Sequence, residues 1–256
     1  MHKLVAAVAL VVAAALVSRA QAEERVDTAL VVAIDSSNSI DRDIFNLQFR
    51  ATLAALESPL VLRAIGSGYV GCIAATIVTW SSRRHQDVVA PWTRICGDDD
   101  MLAFVGRVRR PSYSSLHHHG STTSIAGAVD FSMAMLEACP FPAGRQVIDI
   151  SGNGVDSSAT AGAAAQLREY RSRADVLGIV INGLPMLTPA SDKGLLDFYH
   201  QNVVTPTGFM IVATGPEHFR QAIERKFWLE IAAPSAADGM AHDPAVPPPS
   251  ADGRRG

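Results

Sequence analysis

Thr28-Ala29-Leu30-Val31-Val32-Ala33-Ile34, followed by Asp35-Ser36-Ser37-Asn38-Ser39, decides how this chain reads. The first seven residues carry no charge and are rich in aliphatic side chains. They read as a strand covered on both faces, because a strand with one wet face would alternate apolar and polar residues. An aspartate and two hydroxyls, spaced two residues apart, then fall where the strand runs out into a loop. Hard oxygen donors of this kind suit a small divalent cation such as magnesium. The competing reading is a turn whose Ser39 or Asp41 caps the next helix. The stretch alone leaves both readings open.

Strand-like and helix-like segments alternate along the rest of the chain. Residues 41–57 place Ile44, Leu47, Phe49, Leu53 and Leu56 at helical spacing, and Ser58-Pro59 reads as the stop. Residues 72–80 form a second strand, and 86–92 a shorter, more polar one able to pair with it antiparallel. Helices follow at 98–108, with three aspartates at the positive end, and at 124–136. Strands at 145–150, 176–181 and 209–212 alternate with helices at 159–174, 195–201 and 216–231. Strands separated by helices imply right-handed crossovers, hence a three-layer α/β/α, doubly wound, mainly parallel sheet with one antiparallel edge strand. Ligands of such sheets sit off the carboxyl ends of the strands, where Asp35 falls.

Bulk properties narrow the function. The 256 residues carry a formal net charge of -3 and are 48% hydrophobic, enough for one sizeable core. That balance gives no electrostatic footprint for nucleic acid, and Arg107, Arg109 and Arg110 read as a solvated helix face. His2-Lys3, the apolar run from Leu4 to Val17 and Ala20-Gln21-Ala22 read as a signal peptide over 1–22. The run falls short of the ~20 residues of a membrane span, an uncleaved anchor being the alternative. The expectation is a periplasmic or secreted protein with no membrane span after cleavage. Residues 232–256 lack apolar periodicity, contain Pro247-Pro248-Pro249 and read as a disordered tail, leaving a domain over 24–231. Cys72, Cys96 and Cys139 allow at most one internal disulfide and match no zinc spacing. Cys72, in an apparent buried strand, reads as an inert small hydrophobe.

Two further loops open at the same sheet edge as Asp35. Gly120-Ser121-Thr122-Thr123-Ser124-Ile125 enters a helix, and Ser151-Gly152-Asn153-Gly154 closes the strand at 145–150. Together with Asp-x-Ser-x-Ser after the first strand, these loops resemble the von Willebrand factor A domain, in which three such loops form the metal-ion-dependent adhesion site. Pieces such as Ile148-Asp149-Ile150-Ser151-Gly152 and Ile181-Asn182-Gly183-Leu184-Pro185 are similar to a bacterial family of exported A-type domains of uncharacterised function. The resemblance implies metal positions at Asp35, Ser37, Ser39, Thr123 and Asn153, with Thr122 the alternative if the second loop is read one residue out. It implies Mg²⁺, with Mn²⁺ or Ca²⁺ as alternatives, and a protein partner that supplies an Asp or Glu carboxylate as last ligand.

Asn153 departs from the family, which places aspartate there. A neutral amide can still ligate a cation, but the lost charge weakens binding. Asp149 lies inside the strand and Asp156 beyond the turn, so neither reads as a substitute. Other signals are declined. Gly66-Ser67-Gly68-Tyr69-Val70-Gly71 spells a dinucleotide fingerprint but precedes a strand, with no helix N-terminus for a pyrophosphate. His117-His118-His119 lacks spaced co-ligands. Trp80, Trp92 and Trp228 read as core, and no Gly-x-Ser-x-Gly elbow is present. The expected function is a binding module and not an enzyme. The alternatives are a metal-free assembly module with a degenerate site and, behind it, a serine hydrolase.

Overall fold

The uncharged run at 28–34 becomes the central strand of the molecule. The computed structural model describes residues 24–37, 40, 42–108, 122–156, 161–187, 191 and 193–232. The stretch read as a signal peptide, residues 233–256 of the expected tail, the three histidines, Ser39, Arg109 and Arg110 lie outside these residues. β1 (Val26–Asp35) pairs in parallel with β2 (Ile73–Trp80) on one side and β4 (Ala143–Gly152) on the other. β5 (Ile179–Pro185) extends the sheet in parallel, and β3 (Gln86–Ile95) closes the far edge antiparallel to β2, giving the order β3-β2-β1-β4-β5.

The period of two along β1 distributes its side chains between two cores. Leu30, Val32 and Ile34 face α1 (Arg42–Leu56), α2 (Pro59–Gly66), α3 (Asp98–Val108) and α7 (Pro216–Ala232). Ala29, Val31 and Ala33 face α4 (Ile125–Glu137), α5 (Ala161–Val176) and α6 (Leu195–Phe198). α6 runs directly into a π-helical turn, Tyr199–Val203. The architecture is the three-layer α/β/α sheet expected from the alternation of elements, with β3 as its antiparallel edge.

Several expectations are corrected, each for a local physical reason. Ser58-Pro59, read as a stop, also starts α2: the Ser58 side chain accepts from Val61 N at 3.3 Å. Proline fits the first turn of a helix, where its missing N–H costs nothing. The strand expected from 176 begins instead at Ile179, because α5 runs to Val176 and Gly178 turns the chain at φ 72°. The strand expected at 209–212 is reduced to an isolated bridge, Gly183 to Met210, with a second, Met186 to Ala213, one residue beyond it. Trp228 is not core but 38% exposed. Cys72 is not an inert thiol; it forms a disulfide with Cys96, joining the start of β2 to the end of β3.

The glycine-rich fingerprint has a structural use. Val70 N, Gly71 N and Cys72 N donate to the Asp27 carboxylate at 2.9, 2.8 and 3.4 Å, so the loop wraps a side chain of β1. That loop, the disulfide and the start of β1 share the amino-terminal edge of the parallel strands. α7 ends at the same edge, where Arg145 Nη1 donates to Glu230 O at 2.7 Å.

Beneath α7 a charged cluster is sealed in the first core. Lys226, 0% exposed, pairs with Asp149 of β4 at 2.8 Å and with Glu230 one turn along its own helix. Asn182 of β5 donates to Glu230 Oε1 at 2.9 Å and accepts from Phe209 N at 2.9 Å. Burial pushes the Asp149 carboxyl up against the pull of Lys226, and pushes Glu230 up to about 7.

Candidate metal centre

Strict alternation along β1 turns Asp35 to the α4/α5 face just as the strand ends. Its carboxylate is 0% exposed. Asp35 Oδ1 accepts from Ser37 N at 2.8 Å, closing a tight turn in the first loop. Burial raises the Asp35 carboxyl to about 6, while hydrogen bonds from Ser37 and from the Asn153 backbone N–H pull the other way. The Asn153 bond ties the first loop to the third.

Further ties close the circuit. Ser36 N and Ser36 Oγ both donate to Trp80 O, at 2.8 and 3.1 Å, fixing the first loop to the end of β2. Ser124 N donates to Ser81 O at 2.8 Å, fixing the second loop to the next residue of the same strand end. Asp156 Oδ2 accepts from Ala126 N at 3.0 Å, capping α4 from the third loop. The structure thus brings Asp35, Ser37, Thr123 and Asn153 to one sheet edge, all buried. Thr122 is only half-buried, which favours Thr123 as the inward threonine of the pair. Ser39 falls outside the described residues. Gln48 of α1 reaches the same edge from the other face and donates to Ser151 Oγ at 3.1 Å.

The donor set can be tested against a divalent cation on its own chemistry. Asp35 is a fully buried carboxyl whose shift has no cationic side chain among its causes, and Asp35 Oδ2 has no hydrogen-bond donor among the described residues. A cation would supply the missing counter-charge, with hydroxyl and amide oxygens from Ser37, Thr123 and Asn153 completing a hard-oxygen set. Among the described residues no group of three or more His, Cys, Asp or Glu could hold a metal. The candidate set is therefore one of mostly neutral oxygens and does not suit a soft transition metal. The residues fit.

Sequence reasoning placed Asp156 beyond the turn and did not see its cap on α4. Trp80 and Tyr199 also border the site, and neither was assigned to it. Gly183 inside β5 was the only available signal for the second, since a glycine within a strand marks close approach by another group.

Several solved structures share this fold. Pilus adhesin SpaC from Lactobacillus rhamnosus GG superposes with TM-score 0.56 at 9% identity, over 80% of this chain and 30% of that one. The von Willebrand domain of the type V pili tip protein Mfa5 from Porphyromonas gingivalis gives 0.52 at 9% identity, over 84% and 99%. Proximal thread matrix protein 1 of the mussel byssus, with a zinc-occupied metal-ion-dependent adhesion site, gives 0.51 at 10% identity, over 79% and 46%. This chain spans less than half of the mussel protein and under a third of SpaC. The chain therefore has the von Willebrand factor A-like fold. It belongs to the family described as protein of unknown function DUF1194, which matches residues 25–235. No curated protein matches the sequence. Among the described residues no helix is long and apolar enough to cross a membrane.

Proposed function

We propose that this domain is an exported binding module that holds a divalent cation, Mg²⁺ in the first instance, and engages an acidic group of a protein partner. The observation that carries the reading is the buried Asp35 carboxylate, without a cationic neighbour, where three hydrogen-bonded loops meet. Ser37, Ser39 and Thr123 would contribute neutral oxygens, and Asp35 and Asn153 would hold the ion directly or through water. With few charges around it, a bound cation stays electrophilic enough to accept a carboxylate ligand. The flanking β2–β3 turn is consistent with an acidic partner, since Arg83, Arg84 and His85 are all exposed there. The zinc-bearing mussel relative and the two pilus proteins support a metal-dependent interaction role.

Titrating Mg²⁺ or Mn²⁺ into the purified protein tests the reading: heat uptake or release and a raised melting temperature are expected, and the absence of both sinks it. Asn153→Asp restores a carboxylate to the third loop and should tighten Mg²⁺ binding by about tenfold, a gain of the order of one favourable charge interaction at a partly solvated site. Calorimetry on the variant checks the figure.

Asn153 also supports a second reading, a metal-free assembly module that kept the fold. Partner capture from envelope extract separates the two: loss in EDTA favours the metal, and retention favours the assembly module. We propose no enzymatic role, and labelling by a fluorophosphonate probe would overturn that.

A further inference from the structure

Two strands give up a side chain to let one ring through. A Cβ on Gly183 of β5 would lie 2.8 Å from Tyr199 Cδ1, and one on Gly152 of β4 would lie 3.0 Å from the Tyr199 hydroxyl. Real Cβ contacts at such distances are rare, so glycine at both positions makes the slot that the Tyr199 ring fills. The π-helical turn that begins at Tyr199 continues α6 at that point, and such turns recur at functional sites. The ring is 0% exposed.

The slot ends at the candidate metal centre. The same Gly152 position that lies 3.0 Å from the Tyr199 hydroxyl lies 2.9 Å from Asp35 Oδ2 and 3.4 Å from the Trp80 ring. The two oxygens therefore lie within about 6 Å of each other, a span that one water can bridge. Neither has a hydrogen-bond partner among the described residues, and Trp80 Nε1 has none either. A buried donor left unsatisfied costs about 1–3 kcal/mol, so packing alone would favour phenylalanine at 199. The hydroxyl has a use only if something beside Gly152 accepts from it, and Asp35 Oδ2 is the acceptor that borders the same point.

We propose that Tyr199 is a positioning residue of the metal centre, its hydroxyl holding Asp35 Oδ2 through one buried water and so fixing the carboxylate relative to the Ser37 and Asn153 oxygens. This rests on the metal reading above. Partners of this kind orient a ligand that already accepts from one side, here Oδ1 from Ser37 N, and removing them typically costs ~10–100-fold in metal affinity.

Tyr199→Phe is the test, since it deletes one oxygen and keeps the ring in its slot. Mn²⁺ affinity measured by calorimetry should fall about tenfold or more, while the metal-free protein stays folded, its urea midpoint lowered by no more than the loss of one buried hydrogen bond. Equal Mn²⁺ affinity in variant and parent overturns the proposal. A second readout needs no metal. Subtracting the ultraviolet resonance Raman spectrum of Tyr199→Phe from that of the parent isolates one tyrosine of the four. Its hydroxyl doublet should report a donated hydrogen bond, and Asp35→Asn should alter it. A doublet indifferent to Asp35→Asn overturns the proposal whether or not the parent takes up metal, so this failure is distinct from failure of the metal reading.

Discussion

Asp35→Asn should make the metal-free protein more stable while abolishing its response to Mg²⁺. The two effects have one cause. Asp35 is 0% exposed, and burial lifts its carboxyl from an ordinary value of 3.8 to about 6. A folded-state value above the unfolded one means that the native protein binds the proton more tightly. Its contribution to stability is then full below about pH 4 and is lost as pH rises through about 6. At neutral pH the uncompensated charge costs on the order of 3 kcal/mol at most. Asparagine removes the charge yet keeps an oxygen for Ser37 N. A urea melt without metal should therefore show a gain that grows from about pH 4 to about pH 6 and is full above that. Calorimetry should show no Mg²⁺ binding, a loss beyond the ~10–100-fold that outer partners cost. A variant that still bound Mg²⁺ normally would remove Asp35 from the site.

Lys226→Met should be the most damaging single change in the core. Lys226 is the cation between Asp149 and Glu230, all three within 1% exposure. Arg145 donates to the Glu230 carbonyl and is drawn by the Glu230 charge, but Lys226 is the cation in direct contact with both carboxylates, and Asn182 is neutral. Removing one partner of a buried ionic group costs about 3–5 kcal/mol, because the remaining charges stay desolvated and unpaired. Glu230, already lifted to about 7 by burial, contributes stability that is full below about pH 4.5 and is lost as pH rises through about 7. Protonation relieves the variant further, so its deficit in urea melts should shrink from pH 7.5 to pH 5. A deficit independent of pH would assign the damage to packing. Lys226→Met combined with Glu230→Gln should recover part of the loss.

The features that were legible in the sequence are those set by neighbours along the chain. The uncharged run at 28–34 could only be a strand covered on both faces, and with the helical periodicities between strands it implied the layers. Asp35 at a strand end followed from the same run. The parts that were not legible depend on groups far apart in sequence. Asp156 capping α4, the bond from Asn153 N–H to Asp35, and Tyr199 threading past Gly152 and Gly183 each join separate elements, and no local pattern marks them. Pro59 misled because a proline that ends one helix is equally suited to begin the next. Cys72 misled because an apolar surrounding says nothing about where Cys96 lies. For the metal positions, the sequence offered a spacing; their burial and mutual hydrogen bonds came only with the fold.

β1 starts and α7 ends at the edge that carries the Asp27 loop and the Cys72–Cys96 disulfide, a full strand length from Asp35. Whatever chain precedes Val26 or follows Ala232 therefore leaves from the far side of the sheet. A domain held by either end points its candidate metal edge outward. A pull between the two ends would bear first on the pairing of β1 with β2 and β4 and on the packing of α7 against α1 and α2, at the edge opposite the three loops.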